Sequence, residues 1–275
     1  MTNLMAGKRG LIMGVANDHS IAWAIARHLA AAGAELAFTY KGEHFGRRVR
    51  PLATSLGSKL LYHCDVEDTA SVQSVFDALS AAWGGLDFVV HAIAFSDKNE
   101  LKGRYADTSR ENFVRTMLIS CFSFTEVARM AAGLMPQGGA ILTLTYAGSR
   151  RVMPNYNVMG VAKAALEASV RYLAADFGER GIRVNAISAG PVRTLAGAGV
   201  SDARLMFNYH RENAPLRRAI AIEDVGGAAL YLLSDLSRAV TGEVHYVDGG
   251  YNILAMPRLD LLKAGEEKTD RDAAE

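Results

Sequence analysis

The chain has 275 residues, half of them hydrophobic, and a net charge of +1 at pH 7. A chain of this size forms one large α/β domain or two small ones, and its composition excludes disorder throughout. The near-neutral charge argues against a nucleic-acid binder. Its two cysteines, Cys64 and Cys121, lack metal-ligand spacing, and we see neither a signal peptide nor an apolar run of membrane length. We therefore expect a cytoplasmic protein with buried, reduced cysteines, no metal and no membrane contact.

Short β-rich runs alternate with helical patterns along the chain, and most of these runs are continuously apolar, as in parallel strands covered on both faces. The pattern predicts a single-domain, Rossmann-like, doubly wound parallel sheet of about seven strands over residues 1–263. The charged residues 264–275 are predicted to be disordered. The predicted strands are RGLIMGV (9–15), ELAFTY (35–40), KLLYHCDV (59–66), LDFVVHAIAF (86–95), GAILTLTY (139–146), IRVNAISA (182–189) and GEVHYVDGG (242–250).

Two connections are longer than a usual βα loop, and both follow the carboxyl ends of strands, where open α/β sheets bind ligands. They are SDKNELKGRYADTS (96–109) and TLAGAGVSDARLMFNYHREN (194–213). The second mixes Gly and Ala with bulky apolar residues, which suits a lid over an apolar substrate, with Met206 and Phe207 as candidate contacts. An ordinary surface helix is the alternative.

The first strand runs into GVANDHSIAWAIA (14–26). Gly14 supplies a turn, the small Ala16 permits close backbone approach, and Ser20 and Ile21 begin a helix. The free N–H groups and positive dipole end of that helix favour binding of a pyrophosphate. Plain turn chemistry is the alternative interpretation.

Two further strand ends favour a nucleotide. After the third strand, Asp65 is placed to accept a hydrogen bond from an adenine amine while Val66 packs against the ring; an N-cap role is the alternative for Asp65. At the end of the fourth strand, the small Ala92 and Ala94 leave room for a cofactor along the backbone.

The end of the second strand bears on the choice of cofactor. NAD enzymes often carry an acid there to hold the adenosine ribose, whereas this chain has Lys41, followed by Arg47 and Arg48. These cations would either meet a 2′-phosphate or be solvated, and the sequence leaves NADH and NADPH both open.

The motif PNYNVMGVAK (154–163) places Tyr156 seven residues before Lys163 and Met159 four residues before it. The segment from Tyr146 to Ala196 closely resembles bacterial enoyl-acyl-carrier-protein reductases of the short-chain dehydrogenase/reductase superfamily. The similarity extends to GLIMGVANDHSIAWAIA, AELAFTY, CDV and GEVHYVDGG, and thus covers nearly the whole chain. The tyrosine–six–lysine spacing after Tyr146 is specific to that branch.

The resemblance implies catalysis by Tyr156 with Lys163, a position near the substrate for Tyr146, an acyl carrier protein bearing an enoyl thioester as partner, and a homotetramer. Many relatives have glycine where this chain has Ala94, and NADH-preferring relatives often have glutamine where it has Lys41, so we expect NADH with NADPH as the alternative. Implied cofactor contacts are Gly14, Ser20, Ile21, Asp65, Val66, Ile93, Lys163, Val192 and Thr194. Candidate substrate contacts are Ala94, Phe95, Tyr146, Tyr156, Met159, Met206 and Phe207.

The unusual spacing fits a conjugate reduction. Seven residues are two helical turns, so Tyr156 and Lys163 share a face about 10 Å apart along the axis. In an enoyl thioester the hydride goes to C3 while negative charge collects on the thioester oxygen, and a phenol set back by one turn matches that displacement. Two alternatives are a ketone-reducing enzyme of the same superfamily, which would need tyrosine in place of Met159, and a catalytically inactive dinucleotide-binding protein.

Overall fold

The computed structural model describes residues 3–192, 194 and 202–260. The predicted tail (264–275) and part of the predicted lid (194–213) lie outside the described residues. The strands are β1 (Arg9–Met13), β2 (Glu35–Tyr40), β3 (Leu60–His63), β4 (Phe88–His91), β5 (Gly139–Thr145), β6 (Ile182–Ala189) and β7 (Val244–Val247). The α-helices are α1 (Ile21–Ala31), α2 (Gly42–Ser55), α3 (Thr69–Trp83), α4 (Arg110–Met117), α5 (Ser123–Gly133), α6 (Asn157–Gly178), α7 (Ala203–Asn213) and α8 (Ile222–Leu233).

The strands form one seven-stranded sheet in the order β3-β2-β1-β4-β5-β6-β7. Every neighbouring pair is parallel, with β1 lying between β2 and β4. The predicted seven-stranded parallel sheet is confirmed. The strand order reverses between β1 and β4, and open α/β sheets bind their ligands at such a switch point.

The core occupies both faces of the sheet. Along β1, Leu11 and Met13 point into one apolar cluster, with residues of α3, α5 and α6. Ile12 points into the other cluster, with residues of α1, α2 and α8. Because side chains alternate along a strand, helices on both faces require apolar residues at every strand position. The doubly wound arrangement is therefore confirmed.

A π-helical turn, Leu118–Phe122, joins α4 to α5, so that residues 110–133 form one long helix with a bulge. Within this turn the buried Ser120 bonds twice to the backbone of Phe95: its Oγ accepts from the Phe95 N–H at 2.9 Å and donates to the Phe95 carbonyl at 3.0 Å. Such bulges frequently occur at functional sites. This one fixes the segment that follows β4.

Both cysteines are free and buried, as predicted. Burial raises the pKa of Cys64 to about 12, so its thiol stays protonated and unreactive. Within the described ranges, no helix is both long and apolar enough to cross a membrane.

Candidate active site

The predicted site residues lie at one edge of the sheet. Because all the strands are parallel, their carboxyl ends meet there, and a predicted residue follows each of the first six strands. The sheet topology thus brings together positions that are far apart in the sequence. They are Gly14 after β1, Lys41 after β2, Asp65 and Val66 after β3, Ala92 to Phe95 after β4, Tyr146 after β5, and Val192 and Thr194 after β6.

Gly14 requires glycine for two reasons. Its φ of +96° lies in the left-handed region, and a Cβ added there would stand 2.1 Å from the carbonyl oxygen of Ala92. Ser20 closes the following loop, since its Oγ accepts from the N–H groups of Ala16 at 3.0 Å and Asn17 at 3.1 Å. Ser20 is the N-cap of α1, and the first turn of α1 carries no acidic residue. A glycine turn that leads into a helix N-terminus with no acidic residue in its first turn is suited to bind a pyrophosphate.

Asp65 is not a helix cap, so this alternative is wrong. The N-cap of α3 is Asp68, which accepts from the Ala70 N–H at 2.9 Å. Asp65 instead accepts from the N–H of Glu67 at 3.0 Å, and it is half-buried beside the buried Val66. The adenine contacts of Asp65 and Val66 stay predictions.

Lys41 lies between two carboxylates. Its Nζ is 2.9 Å from Asp65 Oδ1 and 2.7 Å from Glu67 Oε2. Arg115 on α4 also bonds Glu67, with Nε at 2.8 Å and Nη2 at 3.1 Å. The hydrogen bonds from Arg115 and Lys41 lower the pKa of Glu67 to about 2, so this carboxylate is ionised at neutral pH. Neither Glu67 nor Arg115 was predicted from the sequence as a site residue.

The segment after β4 leaves an open surface beside the β1 turn. Ala92 and Ile93 are half-buried, whereas Ala94 and Phe95 are exposed. The guanidinium carbon of Arg115 lies 4.7 Å from the centre of the Phe95 ring, a distance typical of a cation–π contact. This contact connects the segment after β4 to the carboxylate pair beside Lys41.

Tyr156 is the N-cap residue of α6, so its phenol stands at the very start of the helix. Its ring meets that of Tyr146 edge-on, with centres 5.0 Å apart and planes inclined by 66°. Gly148 lies directly against it, because a Cβ at Gly148 would be 2.4 Å from Tyr156 Cδ1. Tyr146 is half-buried just after β5, and its ring packs on the phenol of Tyr156.

Both phenols are protonated at neutral pH. Burial raises the pKa of Tyr146 to about 12. Burial, and then the neighbouring Tyr146, raises the pKa of Tyr156 further above its ordinary value. A phenol that keeps its proton is suited to donate a hydrogen bond to an oxygen that gains negative charge.

Lys163 lies two turns along α6, with 6% of its surface exposed. Its Nζ donates to the Leu144 carbonyl at 2.8 Å. Burial lowers the pKa of Lys163 to about 8, so the amine is mostly protonated at pH 7. The fully buried His91 has a pKa of about 3, lowered by burial and then by the charge of Lys163, and its Nε2 is 2.9 Å from Ser123 Oγ. Lys163 is therefore the cation of this cluster.

Met159 is buried with Leu101 and Val158, and Tyr156 packs against this group. The first long connection, which contains Leu101, is thus anchored on α6. Met206 and Phe207 lie half-buried on α7. Substrate contact by Met159, Met206 and Phe207 stays a prediction. Among the described residues, no cluster of three or more His, Cys, Asp or Glu side chains is arranged to hold a metal ion.

A parallel sheet in this strand order, with a glycine turn after β1 leading into a helix, defines the dinucleotide-binding α/β class of proteins. Residues 14–252 match the family model described as Enoyl-(Acyl carrier protein) reductase. Enoyl-[acyl-carrier-protein] reductase [NADH] 2 of Rhizobium meliloti is 71% identical over 266 residues, which are 97% of this chain and 99% of that protein. Enoyl-[acyl-carrier-protein] reductase [NADH] FabI of Rickettsia typhi is 55% identical, over 94% of this chain and 99% of that protein. The chain belongs to the enoyl-acyl-carrier-protein reductase family.

Solved structures give the same result. The enzyme of Candidatus Liberibacter asiaticus superposes with a TM-score of 0.92 at 61% identity, over 94% of this chain and 100% of its own. The reductase of Anaplasma phagocytophilum, in complex with NAD, has a TM-score of 0.91 at 59% identity, over 94% and 99%. The Bacillus cereus enzyme, solved with NADP+ and an indole naphthyridinone, has a TM-score of 0.91 at 52% identity, over 93% and 100%.

Proposed function

We propose that this protein is an enoyl-[acyl-carrier-protein] reductase (NADH), an oxidoreductase acting on CH–CH donors. It reduces the trans-2 double bond of enoyl-acyl-carrier-protein thioesters in the last step of each fatty-acid elongation cycle. The observation that supports this most strongly is the position of Tyr156 at the start of α6, beside Tyr146 and two turns before Lys163. The place of the usual dehydrogenase tyrosine is filled by the buried Met159.

NADH, when bound, supplies the hydride that goes to C3 of the substrate. Tyr156 donates a hydrogen bond to the thioester oxygen, where negative charge develops, and a proton then reaches C2 to complete the saturated product. Lys163 holds the nicotinamide ribose hydroxyls and adds a positive field. Tyr146 orients the Tyr156 ring through their edge-on contact.

NADH is the favoured cofactor because the relatives from R. meliloti and R. typhi are named for it. The pairing of Lys41 with two carboxylates also opposes a 2′-phosphate. NADPH is the second candidate, supported by the NADP+ in the B. cereus structure. The residues that would hold the cofactor are Gly14, Ala16, Ser20, Ile21, Lys41, Asp65, Val66, Ala92, Ile93, Ala94, Lys163, Val192 and Thr194.

An acyl carrier protein delivers the substrate, and α7 forms part of a lid over the substrate. The enzyme works in the cytoplasm as a homotetramer. The exposed apolar side chains on α4, the π-helical turn and α6 support the oligomer, since a large apolar surface usually meets a partner. Val114, Phe122 and Tyr172 have 59%, 52% and 75% of their surfaces exposed. Light scattering on the purified protein measures the oligomeric state.

The proposed reaction is tested by following NADH oxidation with crotonyl or longer enoyl thioesters, beside a 3-ketoacyl thioester. Tyr156→Phe should lower kcat by about 10²–10³-fold, since it removes one donor to the developing oxyanion. It should leave the dissociation constant of NADH unchanged. Tyr231→Phe, on the exposed surface of α8, controls for loss of a phenol elsewhere.

The wild-type enzyme separates the alternatives. Oxidation with the ketone alone would make it a ketone-reducing dehydrogenase. NADH binding without oxidation of either substrate would make it an inactive dinucleotide-binding protein.

A further inference from the structure

Glu167 is a buried carboxylate one helical turn beyond Lys163, with 4% of its surface exposed. Its Oε1 accepts hydrogen bonds from Thr145 Oγ1 at 2.8 Å and Ser149 Oγ at 2.5 Å. Its Oε2 faces Arg150 Nε at 3.4 Å. These three donors lie on both sides of Tyr146 in the sequence, so one carboxylate ties both ends of the turn 145–150 to α6.

This turn also packs against the catalytic phenol of Tyr156 at the start of α6. Gly148 lies against the Tyr156 ring, and a Cβ at Gly160 would stand 2.8 Å from the Gly148 carbonyl oxygen. The turn is therefore held between Glu167 on one side and the start of α6 on the other. A shift at Glu167 would displace Tyr146 directly and Tyr156 through Gly148.

We propose that Glu167 is a positioning residue of the active site, which fixes the Tyr146 turn against α6 and places a carboxylate one helical turn from Lys163. This inference rests on the proposed function. Lys163 and Glu167 bind consecutive positions of β5, the Leu144 carbonyl and the Thr145 hydroxyl, from one face of α6. The two side chains thus hold the strand end at a fixed register against the helix.

The charges around this pair are few. Arg150 faces Glu167 from the turn, and it is largely exposed. Cys121, from the π-helical turn, and His91, from β4, face Lys163; burial raises the pKa of the thiol and lowers the pKa of the imidazole, so both are neutral. Burial of Lys163 lowers its pKa, and Cys121 and then the Glu167 carboxylate oppose that effect. Removal of this charge should therefore deprotonate Lys163 at lower pH.

The test is Glu167→Gln, which keeps the size of the side chain and one acceptor oxygen while it removes the charge. We expect kcat with NADH and an enoyl thioester to fall by about tenfold to 10²-fold, as for a displaced catalytic group. The dissociation constant of NADH, from tryptophan fluorescence, should change much less. The alkaline limb of the kcat–pH profile should move to lower pH by roughly half a unit to one unit.

Two further variants separate position from charge. Thr145→Val and Ser149→Ala each remove one donor but keep the carboxylate, so kcat should fall by about fivefold, the effect of one lost hydrogen bond, while the alkaline limb stays in place. Glu126→Gln is the matched control, since Glu126 is also buried and accepts from a threonine, Thr69 Oγ1 at 2.8 Å, where α5 meets α3. It should leave both readouts unchanged.

A folded Glu167→Gln protein with wild-type kcat, or one with reduced stability and an unmoved alkaline limb, would overturn the proposal. If that variant does not fold, Thr145→Val and Ser149→Ala decide: wild-type kcat in both contradicts the positioning role. A wild-type protein that reduces no enoyl thioester would instead contradict the proposed function. The role of Glu167 is judged from kcat of each variant relative to kcat of the wild type, so the two failures are distinguishable.

Discussion

Lys41 shows how the role of one residue depends on its neighbours. From its position after β2, the sequence leaves open whether Lys41 meets a 2′-phosphate or is solvated, and in the structure its Nζ lies between Asp65 and Glu67. Glu67 also accepts two hydrogen bonds from Arg115 in a bidentate contact. Two carboxylates, Asp65 and Glu67, thus face the two cations at this corner of the site, and Glu67 contacts both of them. We infer that Glu67 disfavours a cofactor that carries an additional phosphate.

Replacement of Glu67 by Gln should therefore shift the enzyme toward NADPH. The change frees Arg115 and leaves Lys41 with Asp65 alone. We expect the ratio of kcat/KM for NADH to that for NADPH to fall by about tenfold, which corresponds to about 1.4 kcal/mol. Lys41 is half exposed, so added salt should reduce the effect.

Direct titration of the protein with NADH and NADPH measures the same change without turnover. The control is Glu223→Gln, which breaks the surface pair of Glu223 Oε1 with Arg27 Nη2 at 2.5 Å on the α1–α8 side. An unchanged NADPH dissociation constant in Glu67→Gln would contradict the inferred role of Glu67.

The sequence reveals catalytic candidates that share one helix, and it does not reveal partners that meet only in the fold. Tyr156 and Lys163 were identifiable because their motif resembles that of a known family, and helical periodicity puts them on one face. Gly14 was identifiable because a strand is followed by a turn residue and a helix. Arg115 and Glu67 lie 48 residues apart, so no local pattern indicates that they are neighbours.

At the scale of elements, the start of α6 is packed against bare backbone. Gly148 and Gly160 bring the turn after β5 into direct contact with the helix and with the Tyr156 ring. Alanine in a helix is normally about 1 kcal/mol more favourable than glycine. We expect the opposite effect at Gly160. A methyl group added there would meet the backbone carbonyl oxygen of Gly148, which cannot move aside as the end of a flexible side chain could.

We expect Gly160→Ala to lower the melting temperature and to reduce kcat by about tenfold through displacement of Tyr156. Gly227→Ala is the matched control in α8, where a Cβ would meet no atom within 4 Å. It should stabilise the protein by about 1 kcal/mol and keep wild-type kcat. Thermal unfolding and steady-state kinetics measure both effects, and similar behaviour of the two variants would contradict this packing account.

The π-helical turn at Leu118–Phe122 was not predicted from the sequence. Its residues have ordinary helical propensities, and the bonds of Ser120 to the backbone of Phe95 join residues 25 apart in the sequence, which no local pattern indicates. Element boundaries at the site also differ from the apolar runs. The predicted strand 86–95 is a strand only over Phe88–His91, and the later residues continue beyond the carboxyl edge of the sheet.

At the scale of the whole molecule, the sheet itself was predictable because strands buried on both faces are continuously apolar. The sheet also buries a titratable group at its centre. His91 is fully buried, and its pKa of about 3 lies below the ordinary value of 6.5. The unfolded chain therefore binds a proton that the folded protein excludes. The free energy of unfolding is not reduced by this residue above pH 6.5, and it decreases as the pH falls from 6.5 toward 3.

Replacement of His91 by Asn should flatten the acid side of the stability curve. Between pH 6.5 and pH 5, the slope of the free energy of unfolding against pH should decrease by up to about 1.4 kcal/mol per unit, the contribution of one proton. Urea unfolding at fixed protein concentration measures the slope. His19→Asn, at a position with a 74% exposed side chain, controls for the loss of an imidazole. An unaltered slope in His91→Asn would contradict the account.

The order of the strands has a consequence for biosynthesis. β1 pairs on one side with β2 and on the other side with β4, which is synthesised later. The ring of Phe88 on β4 covers Gly10, where a Cβ would stand 2.0 Å from that ring. On the ribosome, the first three strands emerge as a partial sheet whose future central strand is still an unpaired edge. We expect nascent chains arrested before Phe88 to bind chaperones, and longer ones to be released as the middle of the sheet closes.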